Sequence, residues 1–139
     1  MSNGEQPKPL FWVGSSRRDL KSFPEEVRRT MGFALFQAQT GGKHVDVKPL
    51  KGFGGAGVLE VVEDHQGDTF RAVYTVRFAG AVYVLHSFQK KSKKGLATPK
   101  AELDLVRKRL RDAEEHYGKW HANRKPEEGD KQQAERRSE

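Results

Sequence analysis

Between Phe70 and Leu103 the chain reads FRAVYTVRFAGAVYVLHSFQKKSKKGLATPKAEL, and no other stretch restricts the possible folds as strongly. Strand side chains alternate between faces, so Phe70, Ala72, Tyr74, Val76 and Phe78 fall on one side and Arg71, Val73, Thr75 and Arg77 on the other. Ala79-Gly80 supplies a tight connection, and Ala81 to Gln89 returns as an antiparallel partner. With Val58 to Glu63 as a preceding strand, joined through a turn at 64–68, the pattern predicts an antiparallel meander. The last strand runs out into Lys90, Lys91, Lys93 and Lys94. Thr98-Pro99 then opens a helix, threonine as N-cap and proline at the first helical position. Leu103, Val106, Leu110 and Ala113 form its apolar seam, and Gly118 reads as its stop.

Upstream, Leu10 to Val13 reads as a short buried strand and residues 15–23 as a short helix or turn. Ser22-Phe23-Pro24-Glu25 has the capping-box pattern, and Val27, Met31, Ala34, Leu35 and Ala38 recur on one helical face before Gly41-Gly42. Residues 42–57 carry five glycines and little periodicity, which predicts a surface loop. The expected organisation is one domain over 10–118 between a flexible tail at 1–9 and a polar, charged tail at 119–139. Its class is α+β: a small, mainly antiparallel sheet of about four strands, two N-terminal helices on one side, and a C-terminal helix near the sheet edge.

Charge narrows the partners. Lys plus Arg number 26 against 19 Asp plus Glu, a formal net charge of +7, which favours polyanions. The chain has no cysteine, so disulfides and thiolate metal sites are excluded. No apolar run approaches the roughly 18 residues of a membrane span, and the N-terminus lacks the apolar core of a signal peptide. A soluble, cytoplasmic protein is expected. His44, His65, His86, His116 and His121 show no HxxxH or HxH spacing, and no phosphate-loop, nucleophile-elbow or dinucleotide fingerprint occurs, so neither metal nor cofactor is expected.

What remains is basic chemistry. The lysines at 90, 91, 93 and 94 read either as a solvated turn or as a phosphate site completed by Arg71 and Arg77. On RNA such a site either neutralises backbone charge or stabilises charge developing on phosphorus during attack by the neighbouring 2′-hydroxyl. Cleavage also needs a proton acceptor and donor, for which His86, Tyr74 or a lysine are the available groups. His86 reads equally as a structural histidine on the face of Val82, Val84 and Phe88, and Tyr74 as core beside Phe70 and Val76. Arg71 and Arg77 read equally as charges that protect an open strand.

The segments LKGFGGAGVLEVV, FRAVYTVRF, YVLHSFQKKSKK and TPKAELDLVRKRL, in that order, resemble the phage-derived, HigB-like branch of the RelE/ParE toxin superfamily over roughly Leu10 to Ala113. The resemblance implies a RelE-like fold and the toxin of a type II toxin–antitoxin pair. It implies a metal-independent, ribosome-dependent endoribonuclease that cuts messenger RNA and leaves cyclic phosphate ends. Its implied partners are a cognate helix-turn-helix antitoxin, through which the complex binds operator DNA, and mRNA on the ribosome. Arg71 matches the strand arginine thought to hold the reacting phosphate, and Lys91, with Lys90 beside it, matches the basic residue that stabilises transition-state charge. Lys43 and Lys51 fall in the loop that often adds basic contacts. Where relatives carry an arginine after the glutamate matching Glu60, this chain has Val61 and Val62, and no tyrosine lies near Thr98. The superfamily also holds ParE-like gyrase inhibitors, and a non-catalytic nucleic-acid-binding relic of the fold is the third possibility.

Overall fold

A computed structural model of the chain describes residues 6–54, 57–91 and 98–124. Within them, five strands form one sheet in the order β1-β5-β4-β3-β2. The strands are β1 (Leu10–Trp12), β2 (Val47–Pro49), β3 (Val58–His65), β4 (Asp68–Thr75) and β5 (Val82–Lys91). Only β1 with β5 is parallel; the other three pairings are antiparallel. The architecture is the expected α+β, with one more strand than the sequence suggested. That strand, β2, lies inside the glycine-containing stretch read as loop, and its three residues are too few to show an alternation.

Helices α1 (Ser16–Lys21) and α2 (Glu25–Gln39) cover one face of the sheet. All five apolar positions of the α2 pattern, Val27, Met31, Ala34, Leu35 and Ala38, are buried there against Val61, Phe70, Ala72, Tyr74, Val82 and Val84. Burying a side chain of the size of Met31 or Leu35 contributes roughly 1.5–3 kcal/mol, which fixes α2 without help from its ends. The capping box does not form. Pro24 is the N-cap, with no side-chain cap, and the Ser22 hydroxyl donates instead to the Asp19 carbonyl at 2.7 Å.

Helix α3 (Lys100–Asn123) packs on the opposite face rather than at the edge, its seam of Val106, Leu110 and Ala113 buried on Val73, Tyr83, Leu85 and Phe88. Pro99 is its N-cap, so the Thr98 hydroxyl is released for another contact. Gly118 lies within α3. Helix continues to Asn123 because Tyr117 and Trp120 still find apolar surface, and one interior glycine costs only about 1 kcal/mol.

Two irregularities decide which residues share a face. Strand β4 ends at Thr75, where the hydroxyl donates to Gly57 O at 2.8 Å and accepts from the Arg77 amide at 3.0 Å. Gly57 sits at φ +78° with Arg77 N only 3.2 Å from where a Cβ would stand, so glycine is required for this approach. The chain therefore leaves the sheet before Arg77, and Phe78 turns into the α3-side core instead of continuing the Phe70 face. In β5 the register passes from Tyr74↔Val84 to Val73↔His86, leaving Leu85 as an extra residue. This bulge places His86 with Tyr83, Leu85 and Phe88 on the α3 side, away from Val82 and Val84.

Candidate active site

Arg71 stands at the centre of a polar patch on the α3 face. Its neighbours Phe70 and Ala72 are held in the α1/α2 core, so alternation sends Arg71 to the other side. It pairs directly with Phe88 on β5 and Val62 on β3, which makes Glu60 and Asp64, His86 and Lys90 its diagonal neighbours, each roughly 7–8 Å away along the sheet. Arg71 Nη1 lies 2.9 Å from Glu60 Oε1, with both side chains 6% exposed. Thr98 Oγ1 lies 3.4 Å from the same nitrogen. Asp64 instead accepts from the Thr69 hydroxyl at 2.9 Å.

His86 is buried, its ring stacked on Phe88 at 4.8 Å between centroids. Its Nε2 lies 2.5 Å from Glu102 Oε1, in the first turn of α3, and its Nδ1 faces Arg109 Nη1 at 3.5 Å. Arg109 is itself tied down, donating to the carbonyl of the bulge residue Leu85 at 3.0 Å and to the Ser15 hydroxyl at 3.2 Å. Gly14 makes room for it. At φ +57°, a Cβ there would come within 2.8 Å of the guanidinium. Helix α3 is thus pinned over the patch at Thr98, Glu102 and Arg109.

The sequence candidates separate into three groups. Arg71, His86 and Lys90 come together on one face of β4 and β5, and Lys91 ends the ladder opposite Asp68. Tyr74 lies on the other face, fully buried, with no hydrogen-bond partner for its hydroxyl among the described residues; burial pushes that hydroxyl up to about 12. The sheet separates it from Arg71. Exposed Arg77 lies beyond the end of β4, with about 13 Å of strand between Arg71 and Thr75 alone. Lys43 and Lys51 are exposed in the connections on either side of β2. Lys93 and Lys94 fall outside the described residues. Sequence reasoning passed over Glu60, Thr98, Glu102 and Arg109. The available signal was a glutamate and an arginine on facing strands.

A second polar group lies on the α2 side of the β2–β3 edge. Burial, a hydrogen bond to Asp46 and the charges of Asp46 and Asp64 raise the Glu63 carboxyl from 4.5 to about 7. The folded state therefore holds this proton more tightly than the unfolded chain does. Its stabilisation is complete below pH 4.5 and lost as pH rises through about 7. Glu63→Gln is expected to melt higher than wild type near pH 8, by on the order of 1 kcal/mol after solvent screening, and to match it near pH 4.5. Thermal melts at the two pH values check this. Among the described residues no group of three His, Asp or Glu side chains is placed to hold a metal ion, and no helix is long and apolar enough to cross a membrane.

Comparison with solved structures finds a chain of the toxin–antitoxin complex RelBE2 from Mycobacterium tuberculosis. It is 20% identical, with a TM-score of 0.42, over 61% of this chain and 100% of that one. No curated protein matches the chain. Residues 18–111, 94 of 139, match the model of the phage-derived, Gp49-like proteins (DUF891). The chain therefore belongs to the family of phage-derived, Gp49-like proteins.

Proposed function

We propose that the chain is the toxin of a type II toxin–antitoxin pair and acts as a metal-independent endoribonuclease on ribosome-bound messenger RNA. The observation that carries this reading is the register that sets Arg71 between His86 and Lys90 on one sheet face, beside the exit of β5 into its lysine-rich continuation. Arg71, Lys90 and Lys91 hold the scissile phosphate and stabilise its developing charge, while Lys93 and Lys94 grip the flanking backbone. Lys43, Lys51 and Arg77, which lie away from Arg71, bind more distant phosphates. The partner is a cognate helix-turn-helix antitoxin, which also carries the complex to operator DNA, and the site of action is the cytoplasm.

One observation favours a second reading. The buried Glu60 carboxylate already neutralises Arg71, as suits a protein that binds without cleaving, whether a gyrase inhibitor or a non-catalytic relic. Induction in bacteria with mapping of RNA 5′ ends separates the readings. The nuclease gives codon-linked cuts, and Arg71→Ala or Lys91→Ala, each confirmed folded by circular dichroism, lowers cleavage by about 10²–10³-fold. Intact messages with an SOS response identify a gyrase poison, and unimpaired growth identifies a relic.

A further inference from the structure

The proton acceptor needed for 2′-hydroxyl attack has an unexpected candidate. His86 is poorly placed for the task, because both ring nitrogens are engaged and only 7% of its side chain is exposed. Nδ1 faces Arg109, which can only donate, and Nε2 faces the Glu102 carboxylate. Tyr74 is on the wrong side of the sheet. Glu102, by contrast, is one-third exposed, and its contact with His86 occupies a single lone-pair position of a carboxylate that has about four. It follows Thr98, whose hydroxyl is 3.4 Å from Arg71, by four residues, and its partner His86 is a diagonal neighbour of Arg71 across β4 and β5.

On β3, Glu60 Oε1 lies 2.9 Å from the Arg71 guanidinium, while Glu102 Oε1 lies against His86 Nε2. His86, gripped by Phe88 and faced by Arg109, then fixes the carboxylate in one orientation. We infer that Glu102 is the catalytic base of this site and that His86 is its positioning residue, an assignment that rests on the nuclease reading above. Glu102 takes the proton of the 2′-hydroxyl as its oxygen forms the new bond to phosphorus. The bond from phosphorus to the 5′-oxygen breaks, its electron pair leaves with that oxygen, and water supplies the proton that completes the 5′-hydroxyl. Glu102 returns its proton to water, so no net charge or proton is left on the protein.

The bland reading is that Glu102 and His86 only dock α3. Single-turnover cleavage of a short mRNA on programmed ribosomes, across pH 5.5 to 8.5, distinguishes the two. Glu102→Gln keeps the size and the contact to His86 but cannot accept the proton. It is expected to lose about 10²–10³-fold in rate, with melting temperature and ribosome binding unchanged. Formate in solution restores part of the rate to Glu102→Ala, and His86→Asn shifts the pH profile while keeping a measurable rate. Wild-type rate and pH profile in Glu102→Gln would overturn the assignment and leave the nuclease reading standing, whereas a wild-type protein that does not cleave removes both. If Glu102→Gln melts early, formate rescue of Glu102→Ala below its melting point decides: restored cleavage supports the base, and no restoration rejects it.

Discussion

Glu60→Ala is expected to destabilise the fold by about 3–5 kcal/mol, enough to leave it marginal given a typical total of about 5–15 kcal/mol. The cause is the residue left behind. The Arg71 side chain is 6% exposed, so loss of the carboxylate 2.9 Å away removes a close counter-charge from a guanidinium held in a low-dielectric interior. The pair itself need not be a net stabiliser, since desolvating two charges offsets most of their attraction. Glu60→Leu with Arg71→Met is therefore expected to recover most of the stability lost by Glu60→Ala, although it removes the candidate phosphate contact. Urea denaturation of the single and double variants measures this. A Glu60→Ala protein within about 0.5 kcal/mol of wild type would mean that other groups already satisfy the guanidinium.

Tyr83→Ala is expected to cost about 3–5 kcal/mol, because it empties the joint where three elements meet. Tyr83 is 1% exposed, and its ring contacts Phe11 of β1, Phe78 of the β4–β5 connection, and His116 and Tyr117 of α3 at centroid distances of 5.1–6.4 Å. The hydroxyl lies 2.7 Å from His116 Nδ1. Tyr83→Phe keeps the ring and isolates that contact, with an expected loss of about 1 kcal/mol. Burial and the neighbouring Tyr117 raise the Tyr83 hydroxyl from 10.0 to about 12, so the associated stability is present below pH 10.0 and lost as pH climbs through 12. Thermal melts of Tyr83→Phe should show a weaker alkaline decline. A Tyr83→Ala variant melting with wild type would show that β1 and α3 are held elsewhere.

The features legible in the sequence were those repeated over many residues. The α2 face and the α3 seam are each set by several apolar positions that must all be buried together, so the period survives whatever the termini do. The failures are local. Ser22 and Thr98 had suitable chemistry for capping, but a following proline took the N-cap position in each helix and freed both hydroxyls. The faces of Arg77, Phe78 and His86 were misread because alternation holds only while pairing is regular. A turn after Thr75 and one extra residue at Leu85 each reset it. Arg71 was legible as a candidate from its alternating strand, but its partner Glu60 was not. Which of two diagonal carboxylates closes on an arginine depends on three-dimensional reach, not on spacing along the chain.

Helix α3 contributes to the patch last in chain order. Strands β3, β4 and β5 pair neighbour with neighbour, so Glu60, Arg71, His86 and Lys90 can be assembled by short loop closures soon after they are made. Thr98, Glu102 and Arg109 follow later, and Arg109 also reaches back to Ser15, so the constellation closes only when the two ends of the folded unit meet. During synthesis from the N-terminus there is consequently an interval in which the sheet exists without its carboxylate and its helical cover. Chemistry that depends on Glu102 cannot begin in that interval.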